Sequence, residues 1–158
     1  MSLKLRPYKP ADAAKIHLLF HASVHQLTHR EYNAEQRQCW ANNKLDGKFW
    51  KERLASTRPT VALINNDVAG FIELITDQAY IDCLYVHPIY AGRGIGEALL
   101  RHALHQADEK GIAVVSVDVS LTALPLFNRL GFKQVCQNQI VRDGVKLTNW
   151  RMEKQLRD

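Results

Sequence analysis

The residues best suited to chemistry lie in a glycine-rich turn that follows an apolar segment. Gly92, Gly94 and Gly96 stand at alternate positions after residues 84–88, and an amphipathic segment follows them. Glycine allows backbone angles that a side chain forbids, and it lets a ligand approach the main chain closely. A helix beginning there has unpaired N–H groups and a positive dipole end, to which Arg93 adds a full charge. The pattern predicts a site for a phosphate or pyrophosphate held mostly by backbone.

Two common phosphate-binding motifs do not match this turn. A Walker-type loop ends in Gly-Lys-Ser/Thr, whereas Gly96 is followed by Glu97 and Ala98. A dinucleotide fingerprint reads Gly-x-Gly-x-x-Gly, whereas the glycines here alternate. Turns before helices are often glycine-rich, so a helix cap without a ligand is the alternative interpretation of this short motif.

A longer pattern surrounds the turn and resembles the GNAT superfamily of acetyl-CoA-dependent N-acetyltransferases. Its three segments are Leu-Tyr-Val-His-Pro at 84–88, Ala-Gly-Arg-Gly-Ile-Gly-x-x-Leu-Leu at 91–100, and Leu-Phe-Asn-Arg-Leu-Gly-Phe at 126–132. The resemblance covers nearly the whole chain in element order. It implies an α/β (α+β) fold in which a mixed, mostly antiparallel sheet of about seven strands is flanked by helices and has splayed central strands.

Within that superfamily the chain is most similar to the small YafP-type acetyltransferases. The similarity rests on Tyr-Asn-Ala-Glu-Gln at 32–36 with Trp40, and on Asp143 and Gly144 before a strand that ends near Trp150.

The resemblance implies that acetyl-CoA is the cosubstrate. In the family the glycine turn binds the pyrophosphate, and the preceding strand pairs with pantetheine and supplies an oxyanion N–H, expected here at Leu84 or Tyr85. The implied coenzyme-binding residues are Leu84, Tyr85, Val86, Ala91, Gly92, Arg93, Gly94, Ile95, Gly96, Ser120, Ala123 and Phe127. Three of these depart from the family pattern: Ala91 replaces the usual Gln or Arg, Ser120 replaces a frequent Asn, and Phe127 replaces the tyrosine that many members carry.

Acetyl transfer to an amine needs a base, because the acceptor must lose a proton. Asp82 and Glu73 are the carboxylates on the predicted strands, and Tyr80 should share a face with Asp82. Burying a charge is costly, so a carboxylate in an otherwise apolar strand indicates either a functional role or an oppositely charged partner. A salt bridge or an exposed strand end is as good an account of Asp82 as catalysis. The lone thiol of Cys83 is expected in the core.

The proton donor is less evident, because phenylalanine at 127 cannot give a proton to the departing thiolate. Water or another hydroxyl, such as Tyr80 or Tyr90, would have to replace it. The first hypothesis is therefore an N-acetyltransferase acting on an amine of a small molecule or on an exposed amino group. The alternative is a catalytically weak acyl-CoA-binding module or sensor.

The helical region before the first hairpin is expected to cover the acceptor. His17, His21, His25 and His29 lie four residues apart, but no further ligands complete a metal shell, and no metal is expected. An acceptor-binding role is an alternative for His25 and His29, near the helix end. The aromatic side chains of Tyr32 and Trp40 are expected either in the acceptor wall or in the core.

Hydrophobic periodicity and turn residues predict one series of elements. The expected helices cover 11–29, 32–43, a segment capped by Asp46, 94–110 and 122–130, and the expected strands cover 3–8, 60–64, 68–76, 79–86, 112–119, 132–140 and 145–152.

Length, composition and charge indicate how many domains, which compartment and which partners to expect. A length of 158 residues, with 46% hydrophobic and 23% charged residues, fits one domain over 1–158. No apolar segment approaches the ~20 residues that span a bilayer, and the three separated cysteines fit reduced thiols, so a cytoplasmic protein without membrane contact is expected. The net charge of +5 comes from scattered residues, so no nucleic-acid partner is expected. The resemblance also allows a homodimer.

Overall fold

A computed structural model describes residues 2–157 and shows a central sheet with helices on both faces. The strands are β1 (Leu3–Pro7), β2 (Thr60–Ile64), β3 (Asp67–Ile75), β4 (Tyr80–Val86), β5 (Val114–Ser120), β6 (Lys133–Arg142) and β7 (Val145–Gln155). The α-helices are α1 (Ala13–Leu27), α2 (Ala34–Trp40), α3 (Gly47–Thr57), α4 (Ile95–Glu109) and α5 (Leu124–Arg129). In the described residues the strand order is β1-β2-β3-β4-β5-β7-β6, and only β4 and β5 run parallel. The expected seven-stranded mixed sheet is confirmed.

The short helices begin at the caps that the sequence places there. The Asn33 side chain accepts from the backbone N–H of Gln36 at 2.8 Å, and the Gln36 side chain accepts from the backbone N–H of Asn33 at 2.8 Å. Asp46 accepts from the backbone N–H of Phe49 at 2.9 Å and starts α3. These bonds satisfy N–H groups that have no partner inside a helix. The second helix ends earlier than predicted, at Trp40, and α1 begins later, after a 3₁₀ turn at Pro10–Asp12.

Two hydrophobic cores hold the sheet between helices. The core on the α4 face includes Ile72, Ile81, Ile95, Leu99, Ala103, Ala107, Val117 and Met152. The core on the α1 and α3 face includes Ile16, Phe20, Val24, Trp50, Leu54, Val61 and Phe71. The predicted apolar stripe of α4 is thus buried as expected. No helix in residues 2–157 is long and apolar enough to cross a membrane.

The parallel strands β4 and β5 meet over a short distance and then separate. In the described residues they pair only at Tyr80 with Ser116 and at Ile81 with Val117. Beyond these pairs β4 continues beside β3, while β5 continues beside β7. The splay that the family resemblance implies is therefore present, and it opens the sheet at its centre.

A β-bulge interrupts β4 at the start of the splay. Cys83 pairs with Glu73 and Ile81 pairs with Leu74, so Asp82 between them has no partner on β3. A bulge adds one residue to a strand and re-aims the side chains around it. Ile81 consequently packs in the α4 core, while Cys83 packs in the core under α1 and α3.

Candidate active site

A cavity of about 450 Å³ opens where β4 and β5 separate. Side chains of α1, α2 and α3 form one wall, and α5 with the β6–β7 hairpin forms another. The predicted site residues in its lining are Tyr32, Trp40, Tyr80, Asp82, Leu84, Tyr85, Ser120, Ala123 and Phe127. The described lining does not include Glu73, His25 or His29, and it does not include Val86 or residues 91–96 of the glycine turn.

The glycine turn lies at the end of β4, where α4 begins. Gly92 has φ +77° and Gly94 has φ +79°, which is the left-handed region that favours glycine. A Cβ at either position would meet no atom within 4 Å, so the space beside the turn is open. The backbone N–H of Ala98 bonds to Gly94 O at 3.0 Å, so the N–H groups of residues 95–97 precede the helical ladder. This geometry fits the predicted anion site.

The edge of β4 that faces the splay is a second feature that fits a ligand. Beyond Ile81, β4 has no β5 partner in the described residues, although its other edge pairs with β3. The backbone N–H of His87 donates to Ala69 O on β3, and alternate residues of a strand direct their backbone groups to opposite edges. Leu84 and Val86 therefore present backbone groups to the splay, where an extended ligand is able to pair with them as in strand addition, while those of Tyr85 face β3. The β3 residue opposite Val86 is Gly70, where a Cβ would lie 2.9 Å from Tyr85 O, so close packing of β3 and β4 requires glycine there.

Glu73 is a fully buried carboxylate whose oxygens are both bonded. Its side chain is 0% exposed, and its Oε1 accepts from the Arg53 Nη2 at 2.6 Å. Its Oε2 accepts from the Thr57 hydroxyl at 2.6 Å, and Arg53 Nε lies 3.2 Å from both oxygens. These bonds compensate the cost of burying the charge. They also leave Glu73 without the access to an acceptor that a base needs.

Asp82 is the accessible member of the same cluster. Its Oδ2 accepts from Arg53 Nη2 at 2.8 Å, and its side chain remains 39% exposed. Partial burial raises the pKa of Asp82 above its ordinary value, Glu73 raises it further, and Arg53 opposes both effects. A carboxylate with this environment and a place in the cavity wall is suited to accept a proton.

Tyr80 is held by a carboxylate on the neighbouring strand. Its hydroxyl donates to Asp118 Oδ2 at 2.7 Å. Asp118 Oδ1 accepts from Arg151 Nε at 2.9 Å and from Asn138 Nδ2 at 2.8 Å, so this carboxylate is saturated. Burial, and then the bond to Asp118, raise the pKa of Tyr80. A proton bound in this way is a poor donor to a departing thiolate.

The α5 region shows what replaces the family's usual residues. Phe127 is 2% exposed, and its ring packs 5.0 Å from that of Phe132. Ser120 Oγ accepts from the backbone N–H of Ala123 at 3.1 Å, which fixes the turn before α5. Tyr90 lies outside the described cavity lining, and its hydroxyl is 3.5 Å from Asp67 Oδ2.

Tyr32 and Trp40 dock the helical cover onto the sheet. The Tyr32 hydroxyl donates to Thr148 O at 2.6 Å and accepts from the backbone N–H of Leu121 at 2.9 Å. Trp40 Nε1 donates to the hydroxyl of Tyr85 at 3.2 Å. Both side chains also line the cavity, so the bonds that hold the helical cover in place do not exclude contact with an acceptor at these positions.

The histidine stripe lies apart from this cavity. His25 Nε2 is 3.1 Å from Ala41 O, and His29 Nδ1 is 3.0 Å from Gln26 O, at an exposed helix end. The structure therefore does not bring His25 and His29 to the cavity with Tyr32 and Trp40. No group of three or more potential metal ligands occurs in residues 2–157.

Arg53 is the site residue that the sequence analysis missed. It contacts Glu73, Asp82 and Cys83, whose Sγ lies 3.2 Å from Arg53 Nη2. A signal existed, since Arg53 falls between Trp50 and Leu54 in the buried stripe of α3, where an apolar residue is usual. The Cys83 thiol is buried and burial raises its pKa, which fits its predicted place in the core.

The Glu73 cluster gives a stability prediction. We expect Glu73→Gln to lower the free energy of unfolding by roughly 2–3 kcal/mol, because an amide removes the charge that neutralises the partly buried Arg53. Urea unfolding followed by circular dichroism measures the change. Glu109→Gln is the control, since that carboxylate is 65% exposed in its pair with His105, and it should unfold like the parent chain. Equal effects of both substitutions would contradict the prediction.

Known proteins are similar to this chain over nearly its full length. The family model described as "Acetyltransferase (GNAT) domain" matches residues 28–154. The uncharacterised N-acetyltransferase YafP of Escherichia coli K12 is 35% identical over 151 residues, covering 96% of this chain and 95% of that protein.

Solved structures agree with that assignment. A GCN5-related N-acetyltransferase from Rhodopseudomonas palustris superposes with a TM-score of 0.92 at 34% identity, over 99% of this chain and 97% of that one. The PaiA N-acetyltransferase from Thermoplasma acidophilum, solved in complex with coenzyme A, has a TM-score of 0.75 at 22% identity, over 98% of this chain and 99% of that one. By its family model, its relatives and its fold, this chain belongs to the GNAT family of N-acetyltransferases.

Proposed function

We propose that this protein transfers the acetyl group of acetyl-CoA to an amine of a small molecule or to an exposed amino group, by direct attack of the amine. The observation that carries the proposal is the separation of β4 from β5. Asp82, Leu84 and Tyr85 line the cavity at this separation, and the glycine turn follows β4 along the chain and begins α4.

The residues present fit the coenzyme. The open space beside Gly92 and Gly94 and the N–H groups of 95–97 suit a pyrophosphate, and Arg93 adds positive charge. The edge at Leu84–Val86 suits the amide groups of pantetheine. The coenzyme supplies an acetyl thioester, which is activated toward an amine. Of the two expected donors, we assign the Leu84 N–H to stabilise the developing oxyanion, because the pairing with β3 directs the Tyr85 N–H to Phe71.

The protein's contribution to chemistry is proton management and orientation. Asp82 accepts the proton that the amine loses, while the new C–N bond forms and the C–S bond breaks. The thiolate then takes a proton from water, because Phe127 has none to give and the Tyr80 proton is bound to Asp118. Asp82 then returns its proton to that water, so the carboxylate is regenerated and the products are one N-acetylated amine and one free thiol.

A binding module or sensor is the second candidate, and Phe127 is the observation that favours it. Phe127→Tyr separates the two candidates. We expect the added hydroxyl to raise kcat by roughly 10-fold, the low end of general acid catalysis, since the ring lines the cavity. Coenzyme affinity should stay unchanged. Steady-state thiol release from acetyl-CoA, with the best amine of a panel, measures the change. If thiol release by the Phe127→Tyr variant were no faster with the amine than without it, the binding module or sensor would be supported.

The proposed function is tested first by binding. Isothermal titration with acetyl-CoA, coenzyme A and desulfo-coenzyme A should give similar micromolar affinities, because the phosphates and pantetheine, and not the sulfur, make most contacts. Thiol release with an amine panel then tests transfer. Coenzyme binding without amine-dependent thiol release would support the acyl-CoA-binding module and contradict the transferase. If none of the three coenzymes bound, the coenzyme site itself would be contradicted.

A further inference from the structure

Arg53 joins α3, a helix in the cavity wall, to the strands β3 and β4, through its bonds to Glu73 and Asp82. It lies on α3, and its side chain is 24% exposed. One nitrogen, Nη2, bonds Glu73 Oε1 at 2.6 Å and Asp82 Oδ2 at 2.8 Å. A planar guanidinium carries its donors in a rigid arrangement, so bonds to one carboxylate fix its direction toward the other.

Glu73 anchors this guanidinium. Glu73 is 0% exposed, and its oxygens are bonded by Arg53 and by Thr57, so these bonds compensate its buried charge in this position. The anchor lies directly opposite the bulge, since Glu73 pairs with Cys83, the residue after Asp82. The bulge lets Asp82 and Cys83, which are consecutive, both reach Arg53.

Asp82 keeps one oxygen for the cavity. Hydrogen bonds in the described residues reach its Oδ2, and none reaches its Oδ1. Its side chain is 39% exposed and lines the cavity. The two oxygens of Asp82 are therefore in different environments, since Oδ2 is bonded by Arg53 and Oδ1 accepts no hydrogen bond from the described residues.

We propose that Arg53 is a positioning residue, which holds Oδ2 of Asp82 against the buried Glu73 anchor and leaves Oδ1 directed to the acceptor amine. The inference rests on the proposed function, in which Asp82 is the base. It assigns to Arg53 a role that neither composition nor the motifs indicate: it sets the orientation of the base and the pH range over which the base is ionised.

The charges that face Asp82 decide the direction of the pH effect. Arg53 from α3 favours the ionised form, whereas Glu73 from β3 and Asp118 from β5 disfavour it, as does burial. On β4, Tyr80 and Cys83 keep their protons, because burial raises the pKa of each. Loss of Arg53 therefore raises the pKa of Asp82, and the base is protonated at a higher pH.

The experiment follows Asp82 itself in the whole protein. Carbon-13 NMR of the aspartate carboxyl groups, with Asp82→Asn used for assignment, gives the titration midpoint of Asp82 without substrate. We expect the midpoint to move to higher pH in Arg53→Gln and to move less in Arg53→Lys, which keeps the charge but loses the second bond. The acidic limb of kcat/KM should move in the same direction, with about 10-fold lower kcat/KM on that limb, the size expected for one charge-assisted hydrogen bond.

Thr57→Val is the matched control. It removes a hydrogen bond to Glu73 without removing a charge, so it should lower stability and leave the Asp82 midpoint in place. If Arg53→Gln does not fold, Arg53→Lys carries the test. An unchanged midpoint in the folded variants overturns the proposal, and so does a moved midpoint that the kinetic limb does not follow. Coenzyme titration of the same variants tests the proposed function separately, because Arg53 makes no contact with the glycine turn.

Discussion

Asp82→Asn should lower kcat/KM by about 100-fold, the low end of the range for removal of a general base. Asparagine has nearly the same shape but cannot accept the proton. Because a carboxylate base must be ionised to accept a proton, the proposal requires kcat/KM of the parent protein to fall as the pH drops through the pKa of Asp82. Partial burial places that pKa above the ordinary value. The variant should lose this limb and show a flat, low profile there.

The measurement is the pH dependence of kcat/KM, read as thiol release. Asp77→Asn is the control, since Asp77 is an exposed carboxylate in the turn just before β4. That variant should keep both the rate and the acidic limb. If Asp82→Asn also kept its acidic limb, with its height unchanged, another group would be the base, and coenzyme binding would still stand as a separate property.

Gly94→Val should reduce coenzyme affinity by at least about 100-fold, which corresponds to roughly 3 kcal/mol. The backbone at Gly94 has φ +79°, a conformation that a β-branched residue adopts only at a cost. Its side chain would also project into the open space beside the turn. Both effects act on the N–H groups that begin α4, so the phosphates lose their closest approach.

The strain and the ligand contact are separable with a second glycine. Gly144 lies in the β6–β7 turn with φ +78°, and a Cβ there also meets no atom within 4 Å. Gly144→Val should therefore lose similar stability in thermal unfolding but keep its affinity for acetyl-CoA in isothermal titration. Affinity lost equally in both variants would attribute the effect to general destabilisation, and unchanged affinity in Gly94→Val would remove the phosphate site from this turn.

Much of the fold was accessible from the sequence because its signals are local. Asn33 and Asp46 cap helices through bonds to residues three positions later, and such bonds are visible in the spacing. The hairpin of β2 and β3 follows from turn residues between β-branched segments. The glycine turn and the stripe of α4 likewise reflect backbone angles and periodicity, which neighbouring residues set.

Only part of the candidate site could be predicted from the sequence in the same way. The backbone elements that would hold a coenzyme are continuous in the chain, so a motif describes them. The charged cluster at Asp82 is not continuous in the chain, since Glu73, Asp82 and Arg53 come from β3, β4 and α3. Sequence reasoning identified both carboxylates as base candidates, but the partner that distinguishes them lies on a helix far away in the chain.

The sequence by itself determined the order of elements, the helix caps, the glycine turn and the membership that its motifs imply, because these depend on residues close to one another. Only the tertiary structure decided that Glu73 is buried and saturated while Asp82 reaches the cavity, that Tyr80 is bound to Asp118, and that the histidine stripe lies elsewhere. The physical reason is that burial and charge pairing depend on which side chains converge in space. A one-residue bulge at Asp82 was enough to change that convergence, and alternation along the strand did not reveal it.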